Sequence, residues 1–416
     1  SGPVFYISHL AVENSNSTST PVRIVFNSSQ KHNGVSLNCA LAKGPDCYIN
    51  NLLGVLLRWR EGRSVMIGDI KKMFNSIHIT EADQHCHRFL WRNRGSTDSP
   101  DVYVITRVNM GDRPAPAISA EAIRKTAELF QETHPRVSEI LKMSIYVDDI
   151  IESVSTDEEA RKLASDTELV LKQAGFNVKG WKFSGESTTD SDDSSTRVLG
   201  VLWHSGTDQI SFEIPECIPD ALPPILNRKL VLGFVMKVYD PLGLLSPFMV
   251  QGKMLLRETW ERKLGWDENL PSDLHQKWII FLEQMTELRE LNFNRCLKPV
   301  NSQGKPVLVI MSDASEKAYG CAAYVRWQLT DGTFTSRIIM GKTRIAPMRR
   351  LTVPQLELNA AVLSKRARAV IEKEMRLEFS HIYHLIDSAT VLGMINKLST
   401  RDRKSTRLNS SHTVIS

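Results

Sequence analysis

The alternation of apolar and polar positions along the chain predicts short strands separated by helices. Runs of β-branched or alternating apolar residues, bounded by turn-forming residues, are typical of strands. This criterion predicts strands at residues 22–26, 65–69, 103–108, 144–146, 198–203, 307–312 and 381–386.

Helical periodicity fills several of the intervals between these strands. Apolar residues recur at spacings of three and four, as in helices that bury one face, within residues 46–59, 118–132, 157–174 and 352–374. Thr156 precedes three acidic residues, which favours a helix start because the hydroxyl and the acids complement the free N–H groups of the first turn. Strands alternate with helices twice, so we expect two α/β-type units joined by a mostly helical middle.

Two interruptions divide this pattern, and a tail lies outside it. Residues 184–196 are polar and acidic and are predicted to form a loop, and residues 298–306 form a second break before a new apolar strand. Residues 401–416 are polar and without period. They are predicted to be a disordered or unrelated tail.

Composition narrows the class of protein. The chain has 416 residues, of which 42% are hydrophobic and 24% are charged. This is enough apolar material for packed cores, and it argues against disordered, collagen-like and low-complexity proteins. The length favours two or three domains. The formal net charge is only +5, which indicates no more than a weak preference for anionic partners.

Cysteine usage and hydropathy bear on the compartment. The 6 cysteines include no C-x-x-C pair, which argues against a disulfide framework or a structural zinc and favours a reducing environment. The sequence has no run of about 18 apolar residues, so no membrane span is expected.

Two adjacent aspartates, Asp148 and Asp149, stand between apolar runs that predict a hairpin. An exposed turn is the ordinary setting for such a pair, because adjacent anions repel each other and resist burial unless cations compensate. Another predicted strand, 65–69, ends on Asp69. If the two strands are neighbours, Asp69 and Asp148 could hold two Mg²⁺ about 3.5–4 Å apart, as in-line phosphoryl transfer requires.

The segments around these acids resemble the polymerase of the BEL/Pao long-terminal-repeat retrotransposons. Asp69 with Phe74, and the sequence Tyr146-Val147-Asp148-Asp149, resemble the two metal-binding motifs of the reverse transcriptase palm. Five further segments agree with that family in order and spacing. They resemble the fingers motif, the template- and nucleotide-binding motif, the motif after the palm helix, the primer grip and a BEL/Pao signature, at residues 23–29, 108–116, 175–182, 199–203 and 239–247.

The resemblance implies two-metal nucleotidyl transfer, with an RNA template, a DNA primer, RNA–DNA hybrid and dNTPs as partners. One Mg²⁺ would lower the pKa of the primer 3′-OH, and the other would neutralise the triphosphate and the leaving pyrophosphate. By the same resemblance, Asp69 and Asp148 would be the main ligands. Asp149 would be a weaker ligand, the carbonyl of Ile70 would assist, and Mn²⁺ would be the substitute ion.

The resemblance also implies substrate contacts. Phe74 would stack against the sugar and exclude a ribose 2′-OH, the alternative being an ordinary core residue. Arg23 would meet the incoming triphosphate, the alternative being a surface charge. The remaining predicted contacts are Met110, Gly111, Arg113, Tyr146, Lys182, Leu199, Gly200 and Trp203.

The chain departs from the family pattern at three positions. Asn27 stands where the family usually has an acid, and Met110 where many reverse transcriptases carry glutamine. Gly180 stands where a basic residue often precedes the tryptophan, which leaves Lys179 and Lys182 as alternative proton donors to pyrophosphate. None of these departures removes a metal ligand.

A second set of acids follows residue 300. Asp313 ends a predicted strand, Glu357 lies one turn into a predicted helix, and Asp387 ends the next predicted strand. Each alone reads as a surface carboxylate. Their order resembles the ribonuclease H fold, in which such a set binds two Mg²⁺ for RNA hydrolysis. Since the pattern lacks the fourth acidic ligand and the final helix of that fold, an incomplete domain with feeble or no activity is expected.

Local charge supports a nucleic-acid partner more than the net charge does. Residues 337–376 contain ten Lys and Arg against three acids. A solvated helix or strand face is the ordinary explanation for such an excess. Beside palm-like motifs it favours contacts with phosphates, which would make binding strongly salt-dependent.

Two other sequence features argue against further functional sites, one for zinc and one for an aspartic peptidase. His85-Cys86-His87 resembles half of a metal site, but no partner pair lies at zinc spacing, so alternation on a strand is predicted instead. The chain contains no Asp-Thr-Gly or Asp-Ser-Gly, which excludes the dyad of an aspartic peptidase.

Together these features predict an α+β and α/β chain: a right-hand polymerase with fingers, a ferredoxin-like palm and a thumb, followed by a partial RNase H-like domain. The predicted domains are fingers and palm at 1–215, a mostly helical thumb and connection region at 216–300, the RNase H-like part at 301–400, and a non-family or disordered tail at 401–416. The predicted function is RNA-directed DNA polymerisation by a fragment of a retrotransposon polyprotein. Its capsid, protease and integrase segments are absent from this chain, and a cytoplasmic location within virus-like particles is expected. The alternative is a decayed or domesticated retroelement protein that only binds RNA–DNA hybrid.

Overall fold

The computed structural model describes residues 4–13, 21–185, 195–215 and 225–396, which divide between two compact units. The first unit comprises Ser1–Val55 and Ser64–Phe183, and the second comprises Leu56–Arg63 and Ser184–Ser416. Most of the predicted 184–196 loop and all of the predicted tail lie outside the described residues. The predicted domain limits at 215, 300 and 400 stay predictions.

The first unit contains short strands interspersed with amphipathic helices. Its strands are β1 (Ser8–Glu13), β2 (Val22–Asn27), β3 (Ser64–Ile70), β4 (Arg88–Trp91), β5 (Asp101–Val104), β6 (Ile145–Tyr146), β7 (Asp149–Val154) and β8 (Val178–Phe183). Its helices are α1 (Leu37–Ala40), α2 (Leu52–Trp59, whose second half belongs to the second unit), α3 (Glu81–Gln84), α4 (Ala115–Leu129), α5 (Pro135–Met143) and α6 (Asp157–Gln173).

A four-stranded antiparallel sheet in the order β6-β7-β3-β8 forms the centre of the first unit. Helices α4, α5 and α6 contribute to the core on one face of this sheet. The core contains Met66, Ile70, Ile123, Ile140, Ile150, Leu163, Val170 and Leu171. Two hairpins, β1-β2 and β4-β5, form separate two-stranded sheets. Thr156 caps α6 by accepting a hydrogen bond from the Glu159 N–H at 3.2 Å, which confirms the predicted helix start.

The second unit contains two further four-stranded sheets. Its strands are β9 (Ser195–Val198), β10 (Val201–His204), β11 (Gln209–Ser211), β12 (Phe293–Asn294), β13 (Ser302–Ala314), β14 (Ala318–Leu329), β15 (Phe334–Ile345) and β16 (His381–Leu385). Its further helices are α7 (Arg228–Lys237), α8 (Ser246–Glu261), α9 (Ser272–Thr286), α10 (Val353–Glu374) and α11 (Ala389–Asn396).

One sheet of the second unit has the order β12-β11-β10-β9 and the other has the order β15-β14-β13-β16. In the larger sheet β13, β14 and β15 pair antiparallel, whereas β16 runs parallel to β13. A parallel neighbour requires a crossover connection, and helix α10, which packs against β13 and β14, lies in that connection.

Two predicted elements are divided in the structure. The predicted helix 46–59 is a 3₁₀ turn at Asp46–Tyr48 followed by α2, because the Asn51 side chain accepts hydrogen bonds from the N–H groups of Leu53 and Gly54 and so starts a new helix. The predicted strand 198–203 is a hairpin, because Leu199 and Gly200 adopt φ of 47° and 85° and form a two-residue turn between β9 and β10.

The predicted strand 103–108 also differs, since the regular pairing of β5 ends at Val104. Within the described ranges, no helix has both the length and the apolar character needed to cross a bilayer.

Candidate active site

Three aspartates meet at one end of the central sheet of the first unit, and we call Asp69, Asp148 and Asp149 the first acidic site. Strands β3 and β7 are antiparallel neighbours in which Asp69 lies directly opposite Asp149. Asp148 occupies the turn between β6 and β7. Its carbonyl oxygen accepts a hydrogen bond of 2.8 Å from the Ile70 N–H, so the turn is attached to the end of β3.

The turn that carries Asp148 has a strained backbone. Val147 has a φ of 55°, a left-handed conformation that costs an L-residue about 1–2 kcal/mol and is rarer still for a β-branched side chain. Its side chain packs against the small apolar cluster that contains Phe74, and the Asn50 Nδ2 donates a 2.7 Å hydrogen bond to the Ile145 carbonyl. These contacts hold the strained turn in place.

The first acidic site concentrates negative charge in a partly buried position. Burial and the charges of Asp148 and Asp69 raise the pKa of Asp149 to about 6. Burial and the charge of Asp69 also raise the pKa of Asp148. Such a cluster is relieved by a divalent cation, and oxygen-only ligands are those that Mg²⁺ and Mn²⁺ prefer. The residues present therefore fit the ions that the resemblance implies.

The two lysines that the sequence left as alternatives lie on β8, the strand that pairs with the strand of Asp69. Lys182 pairs with Ile67, so by strand alternation it lies on the same sheet face as Asp69. Lys179 instead lines a groove of about 530 Å³, together with Lys71, Lys72, Asn75, Ser76, Asn177 and Val178. The structure thus separates the two lysines that the sequence left as alternatives.

The predicted nucleotide-binding loop has an exposed side and a buried side. Met110 is 69% exposed, and Gly111 and Arg113 are also exposed. Asn109 and Asp112 are buried. The predicted substrate contacts thus face solvent, while the buried side chains of Asn109 and Asp112 anchor the loop.

The other predicted contacts in the first unit differ in accessibility. Phe74 is only 6% exposed and lies in a small cluster with Val108 and Ala115, so most of its side chain is core. Arg23 is exposed on β2, and Tyr146 is half-buried beside the acids.

Trp203, a predicted substrate contact, lies in the core of the second unit. Its side chain is fully buried, its ring centroid lies 6.0 Å from that of Trp59, and its Nε1 donates a 3.0 Å hydrogen bond to Asp208. Trp203 therefore supports the β9-β10 hairpin from the core, whereas Leu199 is half-buried and Gly200 is exposed at the hairpin turn.

The second acidic site consists of Asp313, Glu357 and Asp387 in the second unit. Among the described residues these form the one set of three candidate metal ligands whose ligand atoms all lie within 4.8 Å of one another. Parallel strands β13 and β16 place Met311 opposite Leu385, so both aspartates follow the same registered pair by two residues. Helix α10 supplies Glu357.

Electrostatics of the second acidic site resemble those of the first. Burial and the charges of Asp313 and Asp387 raise the pKa of Glu357. Its oxygen-only ligands also fit a hard divalent cation.

The sequence pattern missed a buried histidine near the predicted nucleotide-binding loop. Residues 85–87 form a turn between α3 and β4, so the predicted strand alternation there is wrong. His87 is 5% exposed, and its Nε2 lies 2.7 Å from a carboxylate oxygen of Asp112. The one available signal was the acidic residue inside the predicted loop, which needs a partner if buried.

Two family models match the chain. A reverse transcriptase (RNA-dependent DNA polymerase) model matches residues 39–202, a segment that contains the whole first acidic site. A Pao retrotransposon-like RNaseH-like domain matches residues 227–388 and contains the second. No curated protein sequence matches the chain significantly.

Solved structures of a foamy viral protease-reverse transcriptase share the fold. The complex with RNA/DNA hybrid is 16% identical with a TM-score of 0.57, and the alignment covers 98% of this chain and 49% of that protein. A complex with dsDNA is 17% identical with a TM-score of 0.57, covering 99% of this chain and 76% of that one. A further form bound to dsDNA is 17% identical with a TM-score of 0.55, covering 97% and 62%.

These comparisons confirm the resemblance and the predicted mixed α/β fold class. The chain spans about half the length of the first of these structures, and the reverse transcriptase family generally uses divalent metal ions. The chain therefore carries a reverse transcriptase domain followed by the RNase H-like domain of the Pao retrotransposons.

Proposed function

We propose that the first unit is an RNA-directed DNA polymerase that adds dNTPs to a primer 3′-OH. The observation that carries this proposal is the pairing of Asp69 with Asp149 across β3 and β7, with Asp148 in the adjoining turn. This set of carboxylates stands in a segment that matches the reverse transcriptase family.

In this proposal the acids of the first acidic site hold two Mg²⁺. When bound, these ions activate the primer hydroxyl and neutralise the triphosphate. Asp69 and Asp148 are the main ligands, Asp149 is a weaker one, and the Ile70 carbonyl assists. The strained Val147 keeps Asp148 at the turn, where its carboxylate is partly accessible.

The basic residues of β8 and of the groove beside it serve the nucleotide phosphates. Lys182 shares the sheet face of Asp69, which favours it over Lys179 as the group that gives a proton to pyrophosphate. The groove lined by Lys71, Lys72 and Lys179 offers positive charge beside the ends of β3 and β8, where it lowers the electrostatic cost of a polyphosphate.

Other contacts follow from exposure. The exposed side of the nucleotide-binding loop, with Met110, Gly111 and Arg113, is available to base and sugar. Phe74 offers its remaining exposed edge to the sugar, and the exposed Arg23 is available to the triphosphate. The half-buried Tyr146 lies beside the acids.

The complexes in which the similar structures were solved support the nucleic-acid partners that we propose. The foamy viral proteins were solved with RNA/DNA hybrid and with dsDNA, and the same classes of nucleic acid suit a polymerase that copies RNA into DNA.

Of the predicted primer contacts in the second unit, the Leu199-Gly200 turn is the remaining candidate, since Trp203 is buried.

Primer extension by the full chain tests the proposal. With an RNA template, a DNA primer, dNTPs and Mg²⁺, the wild type is expected to extend the primer. Asp148→Asn is expected to lower the rate by at least about 10³-fold, because it removes a metal ligand at the reacting phosphate. Asp101→Asn, an exposed carboxylate on β5, is the control and should extend normally.

The alternative, a protein that only binds hybrid, predicts a different outcome. In that case wild type and Asp148→Asn would both bind RNA–DNA hybrid in a filter assay, and neither would extend the primer above background. That result would end the catalytic proposal.

For the second unit we propose feeble divalent-metal-dependent hydrolysis of RNA in RNA–DNA hybrid, since the sequence pattern predicts an incomplete domain. The observation that favours it is the mutual approach of Asp313, Glu357 and Asp387 to within 4.8 Å, in a segment that matches an RNase H-like domain. The three carboxylates would hold the ions on which such hydrolysis depends.

Cleavage of labelled RNA in a hybrid tests this second activity. Glu357→Gln is expected to abolish Mg²⁺- or Mn²⁺-dependent cleavage, because it removes a buried ligand from the set. Glu372→Gln, on the exposed side of the same helix, should cleave like wild type. Equal cleavage by wild type, Glu357→Gln and Glu372→Gln would show that the cleavage does not depend on the second acidic site.

A further inference from the structure

His87 lies between two hydrogen-bond acceptors. Its Nδ1 is 2.9 Å from the carbonyl oxygen of Asp83, and its Nε2 is 2.7 Å from a carboxylate oxygen of Asp112. The Asp83 carbonyl can only accept a hydrogen bond, and the Asp112 carboxylate also only accepts when it is ionised. With Asp112 ionised, only the charged imidazolium makes both hydrogen bonds, because a neutral ring carries a single N–H.

Asp112 is the centre of a buried polar network. It is 6% exposed, and its carboxylate accepts hydrogen bonds from Ser28 Oγ at 2.5 Å and Asn109 Nδ2 at 3.0 Å in addition to His87. Burial opposes ionisation, but the bonds from His87, Ser28 and Asn109 outweigh it and lower the pKa of Asp112. Burial likewise opposes the charge on His87, and its bonds to Asp112 and Asp83 outweigh it and raise the pKa of His87.

The network fixes the nucleotide-binding loop to the segment after β2. Asn38 donates to the Gly111 carbonyl at 2.9 Å and accepts from the Arg113 N–H at 2.8 Å, and its own N–H donates to the Ser28 carbonyl. A Cβ on Gly111 would lie 2.7 Å from the Phe26 carbonyl oxygen, so the loop is as close to this strand as a backbone can come.

We propose that His87 is a positioning residue whose charged ring holds Asp112, and through it the loop that presents Met110, Gly111 and Arg113 to the incoming nucleotide. This inference rests on the proposed polymerase function. The charged groups that act on His87 are Asp112 from the loop and Asp83 from α3, while Ser28 and Asn109 add neutral donors to Asp112. Nucleotide binding should therefore weaken as pH rises and His87 loses its proton.

The test compares the full chain with His87→Gln and with His85→Gln, an exposed histidine two positions away. Glutamine can donate to Asp112 but does not titrate. In wild type, the dNTP KM should rise as pH passes the titration of His87. In His87→Gln the KM should be at least about fivefold higher at low pH, with little change in kcat and no pH step. His85→Gln should follow wild type.

Two measurements without substrate separate this proposal from the polymerase proposal. By NMR, His87 should titrate above the pKa of a free imidazole, and Asp112→Asn should lower the pKa of His87. Hydrogen exchange at the Arg113 N–H should be protected at low pH and lose protection as His87 deprotonates. These results decide the role of His87 even if no protein extends a primer, or if His87→Gln does not fold. Titration of His87 at or below the pKa of a free imidazole, or protection of Arg113 that does not change with pH, would overturn the proposal.

Discussion

At the scale of single residues, the first acidic site gives the metal-free protein a definite pH dependence. The folded state raises the pKa of Asp149 to about 6, through burial and its two acidic neighbours, whereas an unfolded aspartate titrates near 3.9. A raised carboxyl pKa means that the folded state holds the proton more tightly than the unfolded state. Stability without metal should therefore fall as pH rises from about 4 to about 6.

Asp149→Asn should remove this loss. At neutral pH in EDTA we expect the variant to exceed wild type in free energy of unfolding by roughly 1–2 kcal/mol, since part of the pKa shift is screened by solvent. Near pH 4 the two proteins should converge. Urea unfolding at both pH values measures the difference.

Mg²⁺ should reverse the order of stability, because an ion bound only by the folded state stabilises the protein with the better ligand set. Asp101→Asn is again the control and should show neither effect. A variant less stable than wild type in EDTA at neutral pH would contradict the assigned electrostatics.

At the scale of elements, the 239–247 signature forms a backbone joint inside the second unit. Asp240 accepts hydrogen bonds from the N–H groups of Leu244 and Leu245 at 3.0 and 2.7 Å, which shapes the start of α8. The Gly341 N–H on β15 donates a 3.0 Å hydrogen bond to the Leu242 carbonyl. The resemblance identified this segment as a signature of the family, and the structure shows that its backbone packs against β15.

Gly243→Ala should damage this joint severely. Gly243 has a φ of 70°, and an added Cβ would lie 1.9 Å from the Gly341 carbonyl oxygen, so backbone must move. We expect a loss of at least about 3 kcal/mol in the free energy of unfolding. Thermal or urea unfolding measures it.

Gly332→Ala is the matched control for that change. Gly332 has a φ of 82°, with no atom within 4 Å of the added Cβ, so only the backbone term of about 1–2 kcal/mol applies. Equal losses for the two variants would mean that the approach of Gly243 to β15 contributes nothing.

At the scale of the whole molecule, the second unit includes a short stretch that is far in sequence from the rest of that unit. Residues Leu56–Arg63 belong to that unit. The side chain of Arg60 is fully buried. It donates hydrogen bonds to backbone carbonyls of that unit, at Asn294, Arg295, Ile338 and Ile339. Arg58 forms a buried ion pair of 2.9 Å with Glu374. A buried cation is tolerated only with such partners.

The basic stretch at 337–376 is also divided by tertiary contacts. Arg368 pairs with Glu372 at 2.9 Å, and Arg376 pairs with Glu61 at 3.0 Å. Other basic residues of the stretch are exposed, namely Lys342, Arg344, Arg349, Arg350 and Arg366. Counting charges along the sequence therefore overstates what is available to phosphates.

Local sequence was sufficient for several elements whose deciding interactions are local. Alternation and helical spacing predicted β3, α6 and α10 within one or two residues of their observed bounds, because period and capping act over a few positions. The six acids were also identified from the sequence, since each stands at a strand end, in a turn, or one turn into a helix.

What the sequence determined by itself is the family, the order of the elements and the identity of the acids, because these depend on residues close together in the chain. Only the tertiary structure decided that Trp203 is core, that Lys182 and Lys179 face different environments, and that His87 is bonded to Asp112. These outcomes depend on burial and on pairing between distant segments, which local propensity does not encode.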